Sequence, residues 1–180
     1  MAASIQRHAA PNLADASFPI DLSPMLGRVF MARGARCSED IDLSMSSLLS
    51  PSLLMGIDAA VDLIIAAMES DARILIVGDF DADGATSCAL AIRAFEAMGH
   101  SDVRFIVPNR FEYGYGLTPE IVDLAKPQNP SLIITVDNGI SSVDGVAAAR
   151  AAGIDVLVTD HHLPGHQLPN ANVIVNPNQH

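Results

Sequence analysis

The chain has 180 residues, a formal net charge of −11, 49% apolar residues and only 17% charged ones. That length suits one domain with a sizeable core, and the acidic balance argues against a self-sufficient nucleic-acid binder, so any basic binding surface is expected outside these residues. No apolar run approaches a membrane span and no basic, apolar, cleavable leader opens the chain. Cys37 and Cys88 stand far apart in no ligand spacing, which points to a reducing cytoplasm.

Residues 1–22 (MAASIQRHAAPNLADASFPIDL) show no sustained periodicity and are expected to form a flexible leader. Residues 23–70 are expected to be a helical segment that packs on the core. Its first helix starts at Ser23 with Pro24 in the opening turn, carries Met25, Leu26, Val29 and Phe30, and stops at Gly34. Ser38-Glu39-Asp40 resembles another helix entry, but the stretch up to Pro51 has no clear period. Residues 56–69 read as an amphipathic helix with Ile57, Val61, Ile64, Ile65 and Met68 on one side.

From residue 71 to 180, strand and helix alternate with little chain between them. Strands are expected at 73–79, 102–108, 131–137, 155–160 and 172–176, and helices at 85–98, 118–126 and 141–152. Thr118-Pro119-Glu120 is a strong helix start, while Gly99 and Gly153 sit where helix ends favour positive φ. This rhythm predicts an α/β fold: a mostly parallel five-stranded sheet flanked by helices, preceded by the helical segment.

In such sheets ligands bind beyond the carboxyl ends of the strands, and three strand ends here carry ionisable groups. The stretch ILIVGDFDADGATS delivers Asp79, Asp81 and Asp83 from an apolar run. Clustered carboxylates repel one another and raise one another's pKa, so they need a reason, and a hard divalent cation is the usual one. An EF-hand is excluded because its twelfth loop position would be Leu90 and a strand precedes the acids. The glycine spacing of a phosphate cradle is also absent.

Asp137 in SLIITVDNG either caps a helix or is a ligand, with Asn138-Gly139 forming a tight strand-to-helix turn. Asp160-His161-His162 is the most specific signal. Both histidines can face one site only if the strand has already turned, and Leu163-Pro164-Gly165 supplies a turn. One imidazole then suits a metal and the other a phosphate oxygen or acid role, while Asp160 orients a histidine. His8, His100, His166 and His180 read as surface residues, and Met45, Met55 and Met68 as core filler. After the second strand, Asn109, Arg110 and Tyr115 lie in a loop with Gly114 and Gly116. Such a loop either holds a phosphate and stacks a base or is a plain surface loop.

With GDFDADGATS, PNRFEYGYGL, TVDNGISS and VTDHHLPG in this order, and a closing VNPNQ, the chain resembles the RecJ family of single-strand-specific exonucleases in the DHH phosphoesterase superfamily. The resemblance implies 5′-to-3′ hydrolysis of single-stranded DNA to 5′-mononucleotides, with two Mn²⁺ or Mg²⁺ ions, in DNA repair and recombination. It implies that Asp79, Asp81, Asp83, Asp137 and His161 serve as metal-site residues, with Asp137 bridging two ions. It further implies that His162 contacts the scissile phosphate. Relatives of this kind carry a further metal-binding aspartate, a second domain and a DNA-binding module beyond the segment matched here, so these residues alone are expected to be weakly active at best. Two rival readings remain at this level. One is a related phosphodiesterase acting on short oligonucleotides, cyclic dinucleotides or pyrophosphate; the other is a non-catalytic interaction module. The sequence names no protein partner.

Overall fold

A computed structural model describes residues 9–179, so His8 and His180 lie outside the described residues. The chain divides into two compact units, Met1–Ser50 and Pro51–His180. In the first, Asn12 caps a single 3-10 turn at Leu13–Asp15, and Ser23 caps helix α1, Pro24–Ala32, through the Leu26 amide at 3.2 Å. Ser17 forms a parallel bridge with Cys37, so residues expected in a leader carry defined backbone pairing. The stretch without a clear period is a run of side-chain-capped turns. Asp40 accepts from the Arg36 and Cys37 amides at 2.7 and 3.1 Å, and Asp42 from the Ser44 amide at 2.9 Å. Short Asp and Ser side chains that satisfy nearby backbone groups favour such turns over a continuous helix.

The second unit begins with helix α2, Ile57–Glu69, and continues as β1 (Ile74–Gly78), α3 (Ala82–Ala97), β2 (Val103–Ile106), α4 (Arg110–Tyr113), α5 (Pro119–Ala125), β3 (Leu132–Val136), α6 (Val143–Ala151), β4 (Asp155–Thr159) and β5 (Val173–Val175). The helix α2, expected to belong with residues 23–70, thus lies in the same compact unit as the sheet. All four strand pairings are parallel, in the order β2-β1-β3-β4-β5. The sheet is fully parallel, and parallel neighbours need long crossovers; helices supply them up to β4, while the β4–β5 connection contains none.

Period-two alternation splits the core into two layers. Leu75, Val77, Ile133, Val156 and Val158 face α5 and α6, whose Ile121, Val122, Val146 and Ala149 are buried against them. Ile74, Ile76, Leu132, Ile134 and Leu157 face the other way, with Ala60, Cys88 and Phe95. Strands β1 and β3 are buried along their whole length. Each such Ile, Leu or Val contributes roughly 1.5–3 kcal/mol by leaving water.

Several sequence expectations change in this layer. On α2 the packed residues are Ile57, Ala60, Leu63, Ile64, Ala67 and Met68, whereas Val61 and Ile65 are exposed. The packed face follows the i, i+3, i+4 row of Ala60, and apolarity alone does not distinguish its neighbours. Met45 and Met55 are exposed, not core. His100 is buried, not on the surface: its Nε2 bonds the Ala72 carbonyl at 3.0 Å and its ring meets Phe95 edge-on at 6.1 Å. His166 is exposed, as expected.

Candidate active site

The chain runs from β1 outward to β2 and then returns to place β3 on the other side of β1. The gap between the carboxyl ends of β1 and β3 is therefore the switch point of the sheet, where a crevice forms. Asp79 follows β1, Asp137 follows β3 and Asp160 follows β4, so the three strand ends carry their acids to one rim.

Helix α3 starts at Ala82, three residues earlier than the alternation suggested, because Asp81 caps it by accepting from the Gly84 amide at 3.0 Å. The cap and the first turn thereby fix Asp81 and Asp83 at the rim, both exposed. Gly84 allows this approach: a Cβ there would run into the backbone of Asp79.

Asp137 sits in a left-handed backbone conformation at φ 61°, uncommon for a residue with a side chain. It does not cap α6; its Oδ1 lies 2.8 Å from His161 Nε2. Its carboxyl lies near enough to that of Asp81 to feel its charge, and Asp83, Thr86, Ser87, Asp160 and His161 line the same open pocket as Asp137. Burial pushes the Asp137 pKa above the ordinary carboxylate value, the His161 contact opposes that shift, and Asp81 adds to it. Asp81 itself is lowered, first by the Gly84 amide.

Asp160 is buried and acts as an organiser. Its Oδ2 accepts from the Ile140 amide at 2.9 Å; its Oδ1 accepts from the His161 and His162 amides at 2.7 and 3.1 Å, and meets His162 Nδ1 at 2.7 Å. Burial would raise its pKa, but these bonds outweigh that and hold it low. They also turn the chain directly after β4, so that both imidazoles lie on one side with ring centroids 4.7 Å apart. The Asp160 contact raises the His162 pKa above its ordinary value of 6.5. Ligand atoms of Asp137, His161 and His162 lie within 4.8 Å of one another.

Asp79 is used differently. Its carboxylate is buried and paired with Arg110 Nη2 at 2.6 Å, and it accepts from the Phe80 amide at 2.7 Å. The guanidinium lies 3.9 Å over the Phe80 ring and 5.6 Å from the Tyr115 ring centre. Asn109 caps the one-turn helix α4 through the Phe111 amide at 3.1 Å rather than pointing to the rim acids. Tyr115 reaches the rim: its hydroxyl donates to the Asp137 carbonyl at 3.2 Å and stands 3.3 Å from His162 Nδ1. Burial and the surrounding carboxylates push its pKa up to about 12.

Four supporting residues had no functional reading in the sequence, where Asn138 figured only in the strand-to-helix turn. Asn138 donates from Nδ2 to the Val77 and Val136 carbonyls at 3.0 and 2.9 Å, which ties the ends of β1 and β3 together. Asn176 and Asn178 donate to the His162 and His161 carbonyls at 2.9 and 2.5 Å; the closing VNPNQ was their only trace. Phe80, between Asp79 and Asp81, looked like a spacer and is the face on which Arg110 rests.

A fully parallel, doubly wound sheet with acids and two histidines at its switch point defines an α/β domain of the phosphoesterase type. The chain belongs to the DHH family: the model of that family's N-terminal domain matches residues 73–180. It is 52% identical over 91% of its length to the single-stranded-DNA-specific exonuclease RecJ of Salmonella typhimurium, and spans 28% of that relative. The RecJ of Thermus thermophilus is 34% identical over 88% of the chain, which spans 23% of that relative. A crystal structure of exonuclease RecJ bound to manganese superposes with a TM-score of 0.65 at 36% identity, over 72% of this chain and 33% of the other. A crystal structure of the Thermus thermophilus RecJ in complex with Mn²⁺ gives 0.64 at 31% identity, over 94% and 24%. Among the described residues no single helix is long and apolar enough to cross a membrane.

Proposed function

We propose that this domain hydrolyses phosphodiester bonds as part of a RecJ-type, 5′-to-3′ single-stranded-DNA exonuclease that uses Mn²⁺ or Mg²⁺ and acts in DNA repair and recombination. The observation that carries the reading is the convergence of Asp137, His161 and His162 within 4.8 Å at the switch point. The comparisons support it through relatives named as exonucleases and neighbours described with manganese. Free Cys37 and Cys88 agree with a cytoplasmic location.

The donor set fits a hard divalent cation. Asp81 disfavours the ionised form of Asp137 as a like charge, and Asp83 faces the same pocket. Such acids stay ionised together most readily around a cation. Asp81, Asp83, Asp137 and His161 would hold it, while the charge of Asp79 is already met by Arg110. When bound, two such ions activate a water and neutralise charge on the phosphate.

The remaining groups act on substrate directly. His162, whose pKa Asp160 raises and whose ring it fixes through Nδ1, donates from its outer nitrogen to a phosphate oxygen. Arg110 keeps free N–H groups for a phosphate while it rests on Phe80, and Tyr115, exposed beside it, offers a ring on which a base can stack. Asp160 never meets substrate in this scheme; it holds both histidines.

Calorimetric titration of the chain with Mn²⁺, with Asp137→Ala as control, tests the site. The expected result is a heat of binding that the substitution removes; equal heats in both, or none in the parent, would overturn it. A panel of single-stranded DNA, short oligonucleotides, cyclic dinucleotides and pyrophosphate then separates the exonuclease from a related phosphodiesterase.

A further inference from the structure

Among the described residues three buried side-chain polar atoms lack a hydrogen-bond partner: Arg110 Nε, Thr135 Oγ1 and Asn138 Oδ1. Arg110 and Asn138 line the same small cavity, of about 10 Å³, with Gly78, Asp79 and Gly114 in its wall. That is the space one water molecule needs, and a buried water also needs at least two polar partners.

We propose that this cavity is a single-water site, and that the water makes Asn138 a positioning residue for Arg110. The chemistry of the walls selects the occupant. Both Asn138 Nδ2 protons are spent on the Val77 and Val136 carbonyls, which fixes the amide orientation and leaves Oδ1 as an acceptor without a donor. Arg110 Nε–H is a donor without an acceptor. One molecule must therefore accept from the arginine and donate to the amide, and water does both. A metal cation there would face the guanidinium, and an anion would face the Asp79 carboxylate that lines the cavity.

The bridge completes a path of hydrogen bonds across the switch point. Asn138 follows Asp137 directly and is tied to both central strands; through the water it reaches Arg110, which is tied in turn to Asp79. Arg110 is thus held by its Nη2 and its Nε at once, so the guanidinium plane is fixed as well as its position. Its service to a phosphate rests on the function proposed above; the water site itself does not.

The test uses the metal-free chain. A crystal structure with ordered solvent should show one water within hydrogen-bond distance of Arg110 Nε and Asn138 Oδ1. Oxygen-17 relaxation dispersion should count one long-lived water fewer in Arg110→Lys, which keeps the charge beside Asp79 but has no Nε–H. By NMR the Arg110 Nε–H, assigned by its loss in Arg110→Lys, should exchange slowly in the parent and about tenfold faster or more in Asn138→Ala. The Ile133 amide should keep its protection in that variant, which separates lost positioning from general destabilisation. A dry cavity, an unchanged water count, or equal loosening at Ile133 and Arg110 would each overturn the proposal. Mn²⁺ titration of the same parent chain keeps the two readings apart: a water without metal heat sinks only the metal site, and metal heat with a dry cavity sinks only the bridge.

Discussion

Strands β1 and β3 are both five residues long, buried from end to end, and each hands over to an aspartate at the same rim. Yet Asp79 meets a guanidinium the protein itself supplies, at 2.6 Å. Asp137 meets another carboxyl, a histidine and a strained backbone. One acid is already compensated; the other is left for something to arrive. Identical local patterns thus take opposite electrostatic roles because the loops that follow bring different neighbours, an arginine on one side and acids with imidazoles on the other.

The largest expected effect tests how closely the β1 side is packed. Gly84→Ala would drive a Cβ into the backbone of Asp79, and we expect a loss of about 4 kcal/mol or more in urea unfolding, or no fold at all. A midpoint equal to the parent would show that the Asp79–Gly84 approach is not tight.

Next comes the asymmetry itself. Arg110→Ala leaves the buried Asp79 carboxylate without its cation and should cost roughly 1–3 kcal/mol. Asp137→Asn should do the reverse in the metal-free chain. The Asp137 pKa is raised by burial, so its ionised form opposes folding; that penalty builds as pH rises from the ordinary carboxylate value of 3.8 through the raised folded one and is complete above it. Asparagine carries no such charge and tolerates positive φ, so the variant should melt higher at neutral pH while losing its Mn²⁺ heat. A lower melting temperature would reverse the roles assigned to the two acids.

A smaller effect concerns the histidine that Asp160 holds. Because the Asp160 contact raises the His162 pKa, its stabilisation is complete below 6.5 and is lost as pH rises through the folded value. NMR titration should place the His162 midpoint above 6.5 in the parent, and Asp160→Asn should bring it down. An unmoved midpoint would mean that the pair does not set the proton.

The smallest effect lies at the opposite edge of the sheet, where Arg73 pairs with Asp102 at 2.9 Å in partial exposure. It matches Arg110–Asp79 in chemistry but not in burial, and solvent screens it. The Arg73 contact lowers the Asp102 pKa, so its contribution is present above the ordinary carboxylate value of 3.8 and fades as pH falls through the folded one. Asp102→Asn should lower the urea midpoint at pH 7 only slightly, and that small difference from the parent should vanish as pH falls below the folded Asp102 value. A large loss at pH 7 would undo the contrast drawn from burial.

The order of strands and helices was legible because apolar runs of strand length alternate with capped, alanine-rich stretches, and those are local signals. The rim acids and the histidine pair were legible because parallel sheets present their carboxyl ends together. His100 was not, since nothing nearby in sequence shows that Phe95 and the Ala72 carbonyl enclose it. Nor was the packed face of α2, where apolar residues occur on more than one side and only contact with the sheet selects among them.

The amino-acid order alone determined the parallel α/β layout and the place where Asp79, Asp137, Asp160, His161 and His162 would gather, because periodicity and strand direction are short-range properties. Only the tertiary structure decided which acid is neutralised by Arg110, which is left facing Asp81, and that Asn138 ties the two strand ends together. Those outcomes depend on distances between residues far apart in the chain, where burial and charge act through space and leave no trace in local pattern.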